Sequence, residues 1–469
     1  YGTVTGVQTC ALPICEDYSI SVSRHDVNGF SEALRVNPNL FGGEMEDDGY
    51  ANLSARLNLG FQHEGGSKTR IRAHSISSRK DIDGFFDGDG PADQNSRSET
   101  SDVYLRLEHS RMAEDGSHEE RFSFSSMKFN SANLIDSVSA FGPFVQNTKF
   151  VGSVKVLNWQ RDYYGDDQIF SLGWEFEQDY GSSDEDDNLN NKIVSYYLQN
   201  QWLNGDFSLV VGGRRDQHSS FGSRDTWKVA PVYKKGSSQF FGSYGTGFKA
   251  PTIFELYSQQ RFPNNLNQLV LTSNPDLQPA LSKGYSFGVV RELNSDTSLG
   301  VSYFQNRIEN TVDFVFPPFP EIIPYGFINL GEVKTRGFEI SLDHRVNSRM
   351  NIKTNYSRVD SREFPRGLQL RRQPKHQMKS IIEYELNPHE MLTLDISQVG
   401  DQIERYASNF AAAQHTKRFR VVDLSFFKRI AENRQLNFRV ENLLDSDHQE
   451  IFGYANGGRR FYLLFKQSF

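Results

Sequence analysis

The chain closes on Arg460-Phe461-Tyr462-Leu463-Leu464-Phe465-Lys466-Gln467-Ser468-Phe469. One parity of this run carries Phe461, Leu463, Phe465 and Phe469, interrupted only by Gln467, and the other carries Arg460, Tyr462, Lys466 and Ser468, interrupted only by Leu464. Successive side chains of a strand point to opposite faces, so the run has an apolar and a polar side. An alternating strand that ends on an aromatic residue is the usual close of a transmembrane β-barrel, where one face meets lipid and the other the lumen. A half-buried strand of a soluble sandwich alternates as well, so the weight of the signal rests on its repetition.

The repetition is found upstream. Leu53, Ala55, Leu57, Leu59 and Phe61 share one parity, and Asn52, Ser54, Arg56 and Asn58 the other. Val103, Leu105 and Leu107 alternate with Tyr104, Arg106 and Glu108, and Leu436, Phe438 and Val440 with Asn437, Arg439 and Glu441. About twenty such segments succeed one another, each near the crossing length of roughly 9–11 residues or longer. The connections alternate too. Short ones at 62–68, 113–117, 204–206, 234–237, 293–297, 347–349, 387–390 and 431–434 are interleaved with long ones at 28–49, 80–102, 131–147, 181–191, 249–284, 317–326, 363–376, 404–417 and 446–458. Outer-membrane barrels have short periplasmic turns and long external loops. The pattern predicts an all-β fold, a large antiparallel transmembrane β-barrel, with about 20 strands present.

Composition agrees. Aromatics make up 13 % of the 469 residues, yet only 37 % are hydrophobic. An aromatic-girdled lipid band around a wet lumen, with polar loops, reconciles the two. No run of 18 apolar residues is present, so no transmembrane helix is predicted. The formal net charge of −8 and the scattered basic residues point away from a nucleic-acid partner. The two cysteines are Cys10 and Cys15, and the rest of the chain has none. Residues 1–15 share no pattern with the rest of the chain and look like the translation of a sequencing-adapter oligonucleotide. They are set apart as non-native, and 16–469 is taken as the barrel domain. The gene product is then expected to continue upstream. The strand near Tyr18–Arg24 and the last strand are expected to be the two edges.

Four motifs, in order, carry a family resemblance. They are Gly245-Thr246-Gly247-Phe248-Lys249-Ala250-Pro251-Thr252 with Glu255-Leu256-Tyr257; Asn274-Pro275-Asp276-Leu277-Gln278-Pro279; Phe327-Ile328-Asn329-Leu330-Gly331 with Gly337-Phe338-Glu339; and Glu441-Asn442-Leu443-Leu444-Asp445 with Gly453-Tyr454 and the terminal Phe469. Together they resemble the TonB-dependent outer-membrane receptors. A glutamate common after the proline of the second motif is Ala280 here. The resemblance implies an active transporter in the outer membrane of a Gram-negative bacterium, with a barrel of about 22 strands of which about 20 are present and the first two missing. A plug domain, absent from this stretch, would fill the lumen and engage the TonB energy-transducing complex. The implied ligand is a small molecule, either cobalamin (vitamin B12) or an iron chelate of the siderophore type. Loop lengths and Gly453-Tyr454 look most like the cobalamin receptors. A monomer embedded in outer-membrane lipid, without enzymatic chemistry, is expected.

The motif residues read as structural before they read as ligand contacts. Pro251 ends ladder hydrogen bonding, Asn274-Pro275 and Pro279 fix turns, and Gly331 and Gly337 suit a bulge or a close backbone approach. Two acidic loops are candidates for metal: Glu46, Asp47 and Asp48 ahead of Gly49-Tyr50, and Asp81, Asp83, Asp87 and Asp89 among glycines. Closely spaced carboxylates in a flexible loop suit calcium, which takes several oxygens. The resemblance to the cobalamin receptors implies the same pair of loops, whereas the plain reading is a solvated anionic surface. No HExxH spacing is present, and the one GxSxG spelling, Gly284-Tyr285-Ser286-Phe287-Gly288, lies inside an alternating run rather than at a strand-to-helix elbow. An outer-membrane hydrolase barrel is the competing class, since a triad need not be local in sequence.

Overall fold

The computed structural model describes residues 2–5, 16–30, 47–82, 96–139, 142–183, 189–257, 260–261, 269–315, 325–405, 413–454 and 456–467. The long strands are, in chain order, Glu16–Val27, Tyr50–Gln62, Lys68–Ile82, Ser96–Met112, His118–Ser139, Gly142–Tyr164, Gln168–Ser183, Leu189–Asn204, Phe207–His218, Gly222–Lys235, Ser238–Lys249, Ala280–Asn294, Thr297–Glu309, Glu332–Asn347, Met350–Phe364, His376–Asn387, Glu390–Val399, Phe419–Ala431, Arg434–Glu441 and Arg460–Gln467. Each is antiparallel to the next in one 22-stranded sheet, whose other two members are the short Gly2–Thr5 and Leu368–Gln369. The fold is the large antiparallel barrel wall that the alternation predicts, with twenty long strands.

The ladder register shows why the sequence alternates. Residues opposite one another on neighbouring strands share a face. One row runs Tyr18, Leu59, Ile71, Leu107, Phe124, Leu157, Phe176 and Val194 across eight strands. The adjacent row of opposite parity runs Glu108, Ser123, Asn158, Glu175, Ser195 and Asp216. Apolar side chains on the first face stand open, with Leu53 at 50 % and Leu463 at 71 % exposure, whereas Ser195 and Asp216 are buried. Side chains splay on the convex side of a curved sheet and crowd on the concave side. The apolar face is therefore the outer wall, where hydrocarbon sits, and the polar face lines the lumen. Leu53, Leu57 and Leu59 lie outward, and Arg56 and Asn58 lie inward, where Arg56 donates to His74 at 3.3 Å and Asn58 to Ser19 at 2.9 Å.

One end of the wall is closed by turns that complete themselves. Asp115, Asn294, Asn347 and Asn387 each accept, through the side chain, the N–H two residues on, at 2.9, 2.9, 2.9 and 3.0 Å. This Asx geometry mimics a backbone turn and needs no partner elsewhere. Gly116, Gly205 and Gly236 take positive φ in the same set of turns, a conformation that costs glycine little.

Several connections differ from the sequence reading. The stretch 131–147, expected as a long loop, is mostly ladder. His118–Ser139 and Gly142–Tyr164 stay paired from His118↔Tyr163 to Ser139↔Gly142. Ser131, Asn133, Asp136, Ser137 and Ser139 with the Gly142-Pro143 pair read as loop, yet the ladder runs through them without a break. A turn at 165–167 was missed, as was a tight connection at 219–221 on the long-loop end. Residues 1–15 were set outside the fold, yet Gly2–Thr5 pairs with Ser21–Arg24 along what was expected to be a bare edge. An unpaired row of N–H and C=O groups templates any β-prone segment, and Thr3-Val4-Thr5 is one. Among the described residues, no ladder joins Arg460–Gln467 to Glu16–Val27.

Single-cysteine variants Leu57→Cys and Arg56→Cys, made after replacing Cys10 and Cys15 by serine, should label oppositely in membranes. A lipid-soluble maleimide is expected to reach Cys at 57, and a water-soluble one Cys at 56; the reverse pattern would invert the two faces. Asn347→Ala should cost about 0.5–1.5 kcal/mol, the net worth of one hydrogen bond, read as a lower midpoint in urea-induced loss of the heat-modifiable gel band.

Candidate functional site

Three of the four motifs converge at the long-loop end. After the strand Ser238–Lys249, Pro251 removes a donor and the chain leaves the sheet. Thr252 and Glu255 then start the short helix Ile253–Tyr257 as a reciprocal cap. The Glu255 N–H donates to Thr252 Oγ1 at 3.2 Å, and Glu255 Oε2 accepts from the Thr252 N–H at 2.6 Å. The helix buries Ile253 and Leu256. It packs on the inner wall at Gly181, where a Cβ would lie 2.9 Å from Ile253 Cγ2, so only glycine leaves room for the helix.

Phe254 links this helix to two other parts of the molecule. Its ring meets Phe150 edge-on at 5.7 Å and Phe327 at 5.9 Å, Phe327 meets Phe314 at 5.2 Å, and Phe150 lies 5.9 Å from Phe129. Edge-to-face pairs of this kind add specificity to apolar burial. Phe327 belongs to the third motif and Phe150 to the lumen side of the strand Gly142–Tyr164.

The second and third motifs are joined by side-chain amides. Asn274 Nδ2 donates to Phe327 O at 2.8 Å, and Asn274 Oδ1 accepts from the Asp276 N–H at 3.1 Å. Asn329 uses both ends of its amide, accepting from the Gln278 N–H at 2.7 Å and donating to Gln278 O at 2.8 Å and Asn310 O at 2.9 Å. Beside them the short strands Leu269–Thr272 and Tyr325–Asn329 pair in parallel, a geometry separate from the antiparallel wall. Leu277 of the second motif is 1 % exposed. Two long connections and the helix thus form one platform fixed to the inner wall.

The remaining motif residues hold the wall. Gly331 has Phe364 O 2.6 Å from where its Cβ would stand, and Gly337 is closed off in the same way by Arg358 O. Gly247 faces Ser282, Phe248 pairs outward with Leu281, and Ala250 is half-buried before Pro251. Glu339 accepts from Ser302 Oγ at 3.3 Å. Asn442, at φ 49°, closes its own turn. It accepts from the Ser446 N–H at 2.8 Å and donates to Ser446 O at 3.0 Å. Phe469 lies outside the described residues.

Of the proposed calcium ligands, Glu46, Asp83, Asp87 and Asp89 fall outside the described residues. Asp47 is exposed and Asp48 buried, and the Asp81 backbone N–H donates to Gly49 O at 2.9 Å. Arg79 stands 3.6 Å from the Asp81 carboxylate. Among the described residues no group of three or more metal-ligating side chains occurs.

Sequence reading missed the network on the lumen wall. Arg214 Nη2 donates to Glu175 at 2.8 Å and to Ser195 Oγ at 2.7 Å, Arg214 Nε donates to Asp216 at 2.7 Å, and Ser195 Oγ donates to Asp216 at 2.6 Å. Every polar group in it is matched by another, a fixed charged surface rather than a nucleophile beside a free base. Its signal was in the register: Glu175, Ser195 and Asp216 lie opposite one another on three adjacent strands.

Comparison with known proteins places this geometry. A family model described as "TonB dependent receptor-like, beta-barrel" matches residues 31–443. The siderophore receptor PirA from Acinetobacter baumannii is similar with a TM-score of 0.78 and 14 % identity, over 97 % of this chain and 75 % of that one. The ferric-catecholate import receptor Fiu from Escherichia coli K12 gives 0.77 and 12 %, over 100 % and 80 %. A ferric enterobactin receptor (PfeA) mutant from Pseudomonas aeruginosa gives 0.76 and 13 %, over 100 % and 77 %. The chain belongs to the TonB-dependent receptor β-barrel family.

If the platform moves as one body, cutting its amide clamp should loosen both connections together. Asn329→Ala strands Gln278 and Asn310 backbone groups and should cost roughly 1–3 kcal/mol locally. Hydrogen exchange is expected to accelerate at 274–278 and at 325–330 alike, leaving the wall strands protected. Acceleration confined to one connection would show that the two are independent.

Proposed function

We propose that this TonB-dependent outer-membrane receptor takes up an iron chelate of the siderophore class. The observation that carries this reading is the likeness to solved structures: over nearly the whole chain their fold matches, and each is named for siderophores or ferric catecholates. That likeness favours the iron-chelate alternative over cobalamin, which rested on loop lengths and Gly453-Tyr454. The loop platform is in keeping with it. Phe254, Phe314 and Phe327 gather aromatic faces at the long-loop end, where a bulky aromatic chelate would first meet the protein. Capture at the loops would lead to passage along the charged lumen wall, with energy entering through the TonB partnership general to the family. Members of the family are transporters, so no reaction is assigned to the Ser195 network.

Outer membranes carrying the complete protein should bind a ferric catecholate saturably and leave cyanocobalamin unbound. Saturable cyanocobalamin binding without chelate binding would restore the cobalamin reading. Binding of neither, by protein with a normal heat-modifiable band, would remove both ligand classes.

A further inference from the structure

The ladder between Gly222–Lys235 and Ser238–Lys249 stops short of the external rim. It runs from Lys235↔Ser238 to Val232↔Phe241, lapses at 230–231, resumes at Val229↔Tyr244 and Lys228↔Gly245, and goes no further. The lapse has a cause in Pro231, which has no N–H to give Gly242. Beyond Gly245 the two strands part. Residues 222–227 stay paired with Phe207–His218 on one side, and 246–249 with Ala280–Asn294 on the other. A Cβ built on Gly245 would lie 2.9 Å from Trp227 O. One built on Gly247 would meet, among the described residues, Ser282 alone, from the strand behind it. Where the next rung would form, the Trp227 N–H donates instead to Thr246 Oγ1 at 3.1 Å.

The cleft has a place and a reason. Just below it, on the outer face, the rings of Trp227 and Tyr244 lie 5.1 Å apart, and such aromatic residues mark the membrane–water interface. The parted strands therefore stand in water, where unpaired backbone groups are tolerated. Continuing the register would set Thr226 opposite Gly247, Asp225 opposite Phe248 and Arg224 opposite Lys249. The last pair would bring two cations face to face on the lumen side, which destabilises a ladder. Among the described residues, neither Arg224 nor Lys249 has a carboxylate within ion-pair reach. Asp216, opposite Arg224 on its other side, is held by Arg214 and Ser195.

The two lips of the cleft differ as edges. On 222–227 the Arg224 guanidinium folds back, Nη1 donating to Ser223 O at 3.0 Å, and Asp225 adds a charge. Exposed edges are normally blunted in this way, by charge or by proline. The other lip, Thr246-Gly247-Phe248, has neither; its first charge is Lys249 and its first proline Pro251. In an antiparallel ladder, alternate residues turn both N–H and C=O to the same side. Since the Trp227 N–H points across at Thr246, Thr246 and Phe248 are the residues that present theirs to the cleft. A slot between two strands of one wall admits a single extended chain, not the edge of a second folded sheet.

We propose that this lip is a β-augmentation site for an extended acidic peptide, which adds a strand to 246–249 and sets a carboxylate between Lys249 and Arg224. The guest main chain supplies rungs to Thr246 and Phe248, in exchange for the single Trp227–Thr246 contact. An antiparallel guest places its acidic residue opposite Lys249, the next residue opposite Phe248, and a bulky one opposite Gly247, where no Cβ competes for space. The site lies apart from iron-chelate capture and does not depend on it.

The probe is a capped peptide with a dye at its amino terminus, serine-glutamate-valine-tyrosine-threonine-serine, titrated by fluorescence anisotropy against the full chain in detergent. It should bind saturably. N-methylation at the valine removes the N–H that would reach Phe248 O and should weaken binding on the order of tenfold. Glutamine in place of the glutamate should weaken it severalfold. Lys249→Glu should reverse the charge preference, favouring a peptide with lysine in place of glutamate. Hydrogen exchange at Thr246 and Phe248 should be fast in the free chain and slow with peptide bound. Should Lys249→Glu fail to fold, the peptide comparisons and the exchange measurement need the wild-type chain alone and still decide. The site is overturned by no saturable binding, which is what a cleft already filled by the chain's own connection would give. Equal binding of the N-methylated peptide, unchanged exchange at Thr246 and Phe248, or an unchanged charge preference in folded Lys249→Glu would overturn it as well.

Discussion

The hydrogen-bonding demand of a backbone in hydrocarbon governs this molecule. No water is present there to satisfy an N–H or C=O, and each unpaired group costs several kcal/mol. A wall of strands, each antiparallel to the last, meets the demand from within the sheet. Once the backbone is so committed, the only freedom left is side-chain parity. Tyr18, Leu59, Ile71 and Leu107 then fall on the lipid side because their neighbours Arg72, Arg106 and Glu108 fall on the lumen side. Shifting one strand by a single residue would exchange the two sets completely.

The two ends of the wall solve the problem of leaving it in different ways. The short turns are closed within a few residues by Asp115, Asn294, Asn347 and Asn387, so each needs nothing beyond its own hairpin. The long connections carry a larger closure entropy, which grows slowly with length, and they order by contacts with one another. Asn329 bridges to Gln278, 51 residues away, and Phe254 bridges the wall to the third motif. Burial of Leu256 and Leu277, both 1 % exposed, offsets that ordering. The long connections at this end are therefore tied to one another as well as to the wall.

What the sequence made legible was local. Alternation at Leu53–Phe61 fixed strand, face and direction, and Thr252 with Glu255 spelled a cap that could have placed the helix after Pro251. At 131–147 the serines, Asn133 and the Gly142-Pro143 pair looked like loop, because such residues mark a turn only where a neighbouring strand does not hold them in a ladder. The site was less legible for a different reason. Asn274 and Phe327 are 53 residues apart, and their contact depends on two loops meeting over the inner wall. Register placed Glu175, Ser195 and Asp216 in a line, yet no feature within any one strand announces a network. The motifs marked Asn274, Asn329 and Gly331 as structural residues without saying that they act on each other.

The strand Glu332–Asn347 shows how much one segment carries once its backbone is fixed. Inward, Val333 is buried and Gly337 makes room for the Phe304 ring and the Arg358 carbonyl. Outward, Lys334 and Arg336 join cationic residues of the neighbouring strands. These two demands are separated by nothing more than odd and even numbering, and the sheet keeps them from interfering. A substitution at Gly337 must displace a ring or a backbone, so its effect passes to the lumen wall. A substitution at Arg336 changes charge at the lipid boundary and leaves the ladder intact. Selection on the lumen face and selection on the lipid face can therefore act on alternate residues of the same strand with little coupling. That separation is how a fold can stay recognisable at 12–14 % identity while its sequence drifts.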